Sequence, residues 1–169
     1  MFPLILAHND AQENNILIKF DDNRKLLLID YEYAGWNPFA MDLANYVNET
    51  MLDNSYPGKN GIAWYLENCM QGEEVETMAT HYLKRFFEKY MDPSLKSKYT
   101  SCDAFVDAEC PRLLKQIWKC ALLNNFFWGI WALALLTPDI YAKEGIFNYD
   151  FALARVEMYY KIKEIMAAQ

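Results

Sequence analysis

Leu4-Ile5-Leu6-Ala7-His8-Asn9-Asp10-Ala11-Gln12-Glu13-Asn14-Asn15-Ile16-Leu17-Ile18 sets a His-x-Asp and a later Asn between two apolar runs. A second apolar run follows a polar turn, Asp21-Asp22-Asn23-Arg24, and ends on an acid: Lys25-Leu26-Leu27-Leu28-Ile29-Asp30-Tyr31-Glu32-Tyr33. Short apolar runs bounded by Asn and Asp clusters read as strands. The spacing therefore predicts strands over 4–7, 15–20 and 26–30, with Asp10, Asn15 and Asp30 held at or beside strand ends. A solvated turn would need neither the buried flanks nor the ordered spacing.

His8, Asp10 and Asn15 meet the His, any residue, Asp, four residues, Asn spacing of a kinase catalytic loop. Phosphoryl transfer explains the order of parts. It needs one carboxylate at the attacking hydroxyl, and an amide and a second carboxylate on the Mg²⁺ that bridges the nucleotide phosphates. Asp10, Asn15 and Asp30 supply that set in that order.

Composition bounds the rest. The 169 residues, 53% hydrophobic and 23% charged, suffice for one domain with a sizeable core and are short for two. The net charge of −7, with Lys and Arg scattered, lacks the basic footprint of a nucleic-acid binder and favours a small cationic substrate. Four cysteines form no Cys-x-x-Cys pair, and His8 and His81 are the only histidines, so no zinc pattern assembles. Reduced thiols of a cytoplasmic protein are the expectation, with a Cys102–Cys110 disulfide as the alternative. Met1-Phe2-Pro3 lacks the basic start of a signal peptide. The apolar run from Phe126 to Leu136 is too short to span about 30 Å of hydrocarbon, so it reads as a core helix.

Beyond Asp30 the pattern predicts a loop at Gly35-Trp36-Asn37-Pro38 and helices throughout the remainder. Asp42 opens a helix through Met51, and Pro57-Gly58 breaks the chain. Helical stretches follow at 64–70 and 73–90, with Asp92-Pro93-Ser94 as a surface turn. Pro111 stands where a helix starts, before a long central helix over 113–136, and a last helix runs from Phe151 to Ala168. The fold class is α+β, mainly α: a small β-hairpin region over 1–35, then a helical bundle over 42–169, in one domain.

Three blocks add a family. The first is His-Asn-Asp-Ala-Gln-Glu-Asn-Asn-Ile-Leu from His8. The second is Leu-Ile-Asp-Tyr-Glu-Tyr-Ala-Gly-Trp-Asn-Pro-Phe-Ala-Met-Asp-Leu-Ala-Asn-Tyr-Val-Asn-Glu from Leu28, and the third Asn-Asn-Phe-Phe-Trp-Gly-Ile-Trp-Ala-Leu from Asn124. With them the chain resembles the choline/ethanolamine kinase family, from His8 nearly to the C-terminus. The resemblance implies the C-terminal lobe of a protein-kinase-like fold and ATP-dependent phosphorylation of the hydroxyl of choline or ethanolamine, the opening step of phosphatidylcholine or phosphatidylethanolamine synthesis. It implies Asp10 as the catalytic carboxylate, Gln12 near the transferred phosphate, and His8 as a residue that orients the loop. Asn15 and Asp30 would hold Mg²⁺ with ATP as donor, and Asp42 would brace the loop backbone.

For the amine, the resemblance implies an aromatic wall of Trp128 and Trp131, with Glu32, Tyr33, Glu49 and Phe151 facing the cation. Phe151 stands where the family often has Tyr. A quaternary ammonium has no hydrogen-bond donor and is best held by ring faces near a carboxylate. Taken without the family, two tryptophans three apart on an apolar helix read as core packing, and Glu32 and Glu49 as ordinary surface acids. Were the strand to continue past Asp30, Tyr31 and Tyr33 would share one face and Glu32 the other.

No Gly-x-Gly-x-x-Gly or Walker loop occurs among the six glycines, and no strand Lys with a helix Glu precedes His8. The expectation is a lobe whose N-terminal partner lobe is missing. Such a lobe would be weak or inactive alone, with an exposed apolar docking face and a tendency to homodimerise. The alternatives are a non-catalytic amine-binding lobe and an aminoglycoside-phosphotransferase-like kinase. No nucleic acid and no membrane span are expected.

Overall fold

Strands form where the apolar runs predict them, and they pair in twos. The computed structural model describes residues 4–20, 25–58, 61–136 and 138–168. Strand β1 (Leu4–Ala7) leads to a loop and a 3-10 turn at Glu13–Asn15, then β2 (Ile16–Ile18) and β3 (Leu26–Leu28) pair antiparallel, Ile16 opposite Leu28. The predicted turn over 21–24 lies outside the described residues.

Residues 35–38 differ from the expected loop. They form β4 (Gly35–Pro38), which pairs antiparallel with β1, Ile5 opposite Asn37 and Ala7 opposite Gly35. Gly, Asn and Pro signal a turn locally, but a two-stranded sheet has only edges, and an edge tolerates the missing Pro38 N–H. Helix α1 (Met41–Glu49) follows, one residue ahead of Asp42, and then a further hairpin, β5 (Leu52–Asp53) with β6 (Ala63–Trp64), inside the stretch expected to be helical. The helix expected over 64–70 contracts to a 3-10 turn at Leu66–Asn68.

The remainder is helical: α2 (Glu73–Lys89), the single turn α3 (Pro93–Lys96), α4 (Cys102–Ala134) and α5 (Pro138–Ala167). Asp92-Pro93-Ser94, expected as a turn, starts α3, because Asp92 accepts the Ser94 N–H at 2.7 Å and proline fits a first helical position. Pro111 does not start a helix but sits inside α4. There it removes the bond to the Asp107 carbonyl, at a cost of about 3 kcal/mol, which burial of Phe105, Val106, Cys110, Leu113 and Ile117 along the same helix offsets. Helix α5 begins well before Phe151, with Pro138 at its start. None of the four cysteines is in a disulfide. Cys102 and Cys110, eight residues apart on α4, are separated by about 12 Å of helical rise, beyond disulfide reach.

The chain divides into two compact units, residues 1–69 with 118–169, and residues 70–117. The first buries Phe39, Leu43, Val47 and Met51 around α1, Ala121 and Ala132 of α4, and Met158 and Ile162 of α5. The second buries Val75, Ala79 and Leu83, a stripe of α2 at four-residue spacing, with Phe105 and Leu113 of α4. The first unit also leaves large apolar side chains in solvent on its strands, among them Leu6, Ile18, Leu26 and Trp36. Among the described residues no helix is long and apolar enough to cross a membrane.

Candidate active site

One carboxylate from α1 fixes the loop after β1. Asp42 does not cap its own helix; its Oδ2 accepts the His8 N–H at 2.9 Å and its Oδ1 the Asn9 N–H at 2.8 Å. Asn9 has φ of 68°, a left-handed conformation that Asn tolerates better than most residues, and its amide donates to the Tyr33 carbonyl at 2.8 Å. The buried His8 ring accepts the Asp10 N–H at Nδ1, 3.3 Å, which leaves Nε2–H to donate to the Ile29 carbonyl at 2.8 Å. Asn45 of α1 accepts the Ala11 N–H at 2.6 Å.

The loop so held presents Asp10. Asn15 donates from Nδ2 to the Asp10 carboxylate at 2.8 Å and to its carbonyl at 2.9 Å. Burial pushes the Asp10 carboxyl above its ordinary range and Glu49 adds to the rise, while the Asn15 hydrogen bond, His8 and Arg155 oppose it. The Asn15 carbonyl accepts the Ile29 N–H at 3.0 Å, so pairing of the two strands sets Asp30 just beyond Asn15. Asp30 too is left-handed, φ 63°, and exposed. The strand has ended by then: a turn closed by Ala34 N–H to the Tyr31 carbonyl at 3.0 Å turns both Glu32 and Tyr33 to the cleft, while Tyr31 packs on His8 at 4.7 Å between ring centres.

A cleft of about 340 Å³ collects Asp10, Gln12, Asp30, Glu32, Tyr33, Glu49, Trp128, Trp131 and Phe151. His8, Asn15 and Asp42 do not line it; they stand behind the loop. Gln12 uses its side-chain carbonyl to accept the Asn14 N–H at 3.1 Å, capping the 3-10 turn. The rings form an edge-to-face cluster: Tyr33 to Trp128 at 5.0 Å, Trp128 to Trp131 at 5.2 Å, and Trp131 to Phe151 at 6.3 Å between centres. Burial, then Glu32 and Asp10, push the Tyr33 phenol above its ordinary value, so it stays protonated.

Mg²⁺ takes one or two protein oxygen ligands and completes its shell with phosphates and water; Asp30 lines the cleft, whereas Asn15, its amide nitrogen bound to Asp10, does not. Among the described residues no group of three or more His, Cys, Asp or Glu could hold a metal unaided.

Sequence reading missed Asn14, Asn54 and Arg155, which also line the cleft. Arg155 is buried on the apolar stripe of α5 that carries Phe151, Met158 and Ile162. Its guanidinium donates to Glu49 Oε1 at 2.6 Å and to Asn125 Oδ1 at 3.4 Å, and lies 4.7 Å from the Phe151 ring centre. Behind it, Asn48 bonds Asn124 at 2.9 Å and Asn125 at 3.0 Å, tying α1 to α4. A charged residue three or four positions from apolar ones on both sides was the available signal.

Comparisons with known proteins give the chain a family and a fold. The profile described as choline/ethanolamine kinase matches residues 2–160. Ethanolamine kinase 1 of Mus musculus is 30% identical over 98% of this chain and 40% of its own length; choline kinase alpha of the same species is 27% identical over 95% and 34%. The crystal structure of choline kinase from Cryptosporidium parvum Iowa II superposes with a TM-score of 0.68 at 24% identity, covering 98% of this chain and 40% of that one. Plasmodium vivax ethanolamine kinase gives 0.58 at 18% identity. The chain thus spans well under half the length of these relatives, and its fold is that of their C-terminal, mainly helical lobe.

Proposed function

Because the chain belongs to the choline/ethanolamine kinase family, we propose that it carries the acceptor-binding and catalytic half of ATP-dependent phosphoryl transfer to the hydroxyl of choline or ethanolamine. The observation that carries the reading is the single cleft that holds Asp10 and Asp30 together with an aromatic cluster. Bound there, Mg²⁺ and ATP would supply the transferable phosphoryl group and offset the charge on its oxygens. The chain's own residues do the positioning. Asp10 orients the acceptor hydroxyl and takes its proton, with the Asn15 amide fixing which carboxylate oxygen faces the substrate. Asp42 and His8 hold the loop through backbone bonds. The Asn15 oxygen and Asp30 would hold the cation, Gln12 would lie beside the transferred group, and Tyr33, Trp128, Trp131 and Phe151 would supply faces to the ammonium while Glu32 and Glu49 would supply charge.

The exposed apolar strand faces support a second lobe, in cis or in trans, that covers them and the nucleotide. Cysteines held as thiols support a cytoplasmic setting.

The test is transfer from ATP to choline and to ethanolamine by the protein in the form the cell makes, beside its Asp10→Asn variant. The variant should lose roughly a hundredfold to ten-thousandfold in turnover and keep its amine affinity. Undiminished turnover would sink the Asp10 assignment. Amine binding without any ATP-dependent product would replace the kinase reading with a non-catalytic amine-binding lobe.

A further inference from the structure

The cleft contains a cation of its own. Arg155 is 2% exposed, and its Nε has no hydrogen-bond partner among the described residues. An orphaned buried donor costs about 1–3 kcal/mol, and a buried ion pair is at best weakly stabilising against apolar residues of the same volume. Stability alone does not account for a guanidinium here.

Its effect falls on Glu49. Oε1 of that carboxylate receives the Arg155 guanidinium at 2.6 Å and the Asn45 amide at 3.3 Å, and Oε2 receives Asn54 at 3.4 Å. A carboxylate offers about four lone-pair sites, so three are engaged and one is left. A primary ammonium entering the cleft gives up its water and needs acceptors for three N–H groups; a fully alkylated one needs none. The same guanidinium lies over Phe151 at 4.7 Å and within 6.0 Å of the Trp128 ring centre, so it also braces the rings that an alkylated cation would use.

We propose that Arg155 is a specificity-determining positioning residue: by taking up the hydrogen-bonding capacity of Glu49 and bracing Phe151 and Trp128, it tunes the cleft toward a quaternary ammonium over a primary one. This rests on the amine-binding reading above. Arg155 acts through Glu49 and the rings.

The experiment is titration of the protein with choline and with ethanolamine, followed by the fluorescence of its tryptophans, two of which line the cleft. The wild type should bind choline more tightly. Arg155→Met frees Glu49 Oε1 for a primary ammonium, and one charge-assisted hydrogen bond gained there should lower the choline-to-ethanolamine affinity ratio about tenfold. Arg155→Lys, which keeps a donor near Glu49, should hold the ratio within about threefold of wild type, and covers the case in which the methionine variant does not fold. On a Glu49→Gln background the Arg155→Met change should leave the ratio where Glu49→Gln put it. A ratio unmoved by Arg155→Met while both affinities fall together would overturn the proposal in favour of a purely structural role. A ratio that drops as far with Arg155→Lys as with Arg155→Met would also overturn it. Wild-type protein that binds neither amine would sink the amine-binding reading and this proposal with it; wild type that binds choline but never phosphorylates it sinks only the kinase reading.

Discussion

The two compact units are built to different rules. Every buried polar or charged residue among those described lies in the unit of residues 1–69 and 118–169: His8, Asn15, Asn45, Asn48, Glu49, Asn124, Asn125, Asn148 and Arg155. The unit of residues 70–117 buries only apolar side chains, with Phe105 packed by Phe87 at 5.3 Å and Tyr99 at 5.0 Å. Apolar burial contributes about 1.5–3 kcal/mol per large side chain with no geometric condition attached. A buried polar network contributes only if every member is satisfied. The difference teaches where the fold gives up stability for geometry, and that is at the cleft.

The sharpest way to break this comparison is the Glu49–Arg155 pair. Glu49→Ala leaves a guanidinium buried without its counter-ion, and should cost about 3–5 kcal/mol in a denaturant titration. If the network serves geometry at the expense of stability, the double variant Glu49→Met with Arg155→Met should recover most of that loss or exceed the wild type, while losing amine binding. A double variant as unstable as Glu49→Ala would show that the pair is a stabilising feature and that the two units do not differ in kind.

Next in size is Leu83→Ala, in the apolar unit. Leu83 is fully buried on the α2 stripe, and its truncation should cost about 3 kcal/mol through lost transfer energy and a cavity. No residue of 70–117 lines the cleft, so choline affinity in the folded fraction should stay within twofold. Loss of affinity in proportion to stability would join the two units functionally and blur the contrast.

What the sequence made legible follows the same divide. The β1, β2 and β3 strands, Asp10 and Asp30 are close in sequence, so period and spacing carried them, whereas Gln12, Glu32 and Tyr33 came only from the family resemblance. β4 was missed because its partner lies some thirty residues upstream and Gly-Trp-Asn-Pro signals a turn when read locally. Pro111 misled for the reverse reason: a rule about helix starts yielded to burial on both sides of it. The Asn45, Asn48, Asn124 and Asn125 network and Arg155 were illegible because polar residues are exposed by default. Only the approach of α1, α4 and α5, which no single helix pattern encodes, turns them inward.

The smallest effect belongs to a polar group on the surface of the apolar unit, where the same reasoning predicts almost nothing. Asp92 accepts the Ser94 N–H at 2.7 Å at the start of α3, and that hydrogen bonding, the Ser94 hydroxyl foremost, holds its carboxyl below the usual carboxylate value. A carboxyl lowered in the folded state contributes stability above its unfolded pKa and loses it as pH falls through the folded one. Asp92→Ala should therefore lower the melting temperature slightly at pH 7, and the gap to wild type should close below the ordinary carboxylate pKa of about 3.9, as the native carboxyl is protonated. A gap that persists at the lowest pH where the protein still folds would mean that the side chain acts through packing of the α3 turn. A gap as large as that of Leu83→Ala would mean that the apolar unit, too, depends on a polar contact for its stability, and the contrast between the units would have to be drawn by burial alone.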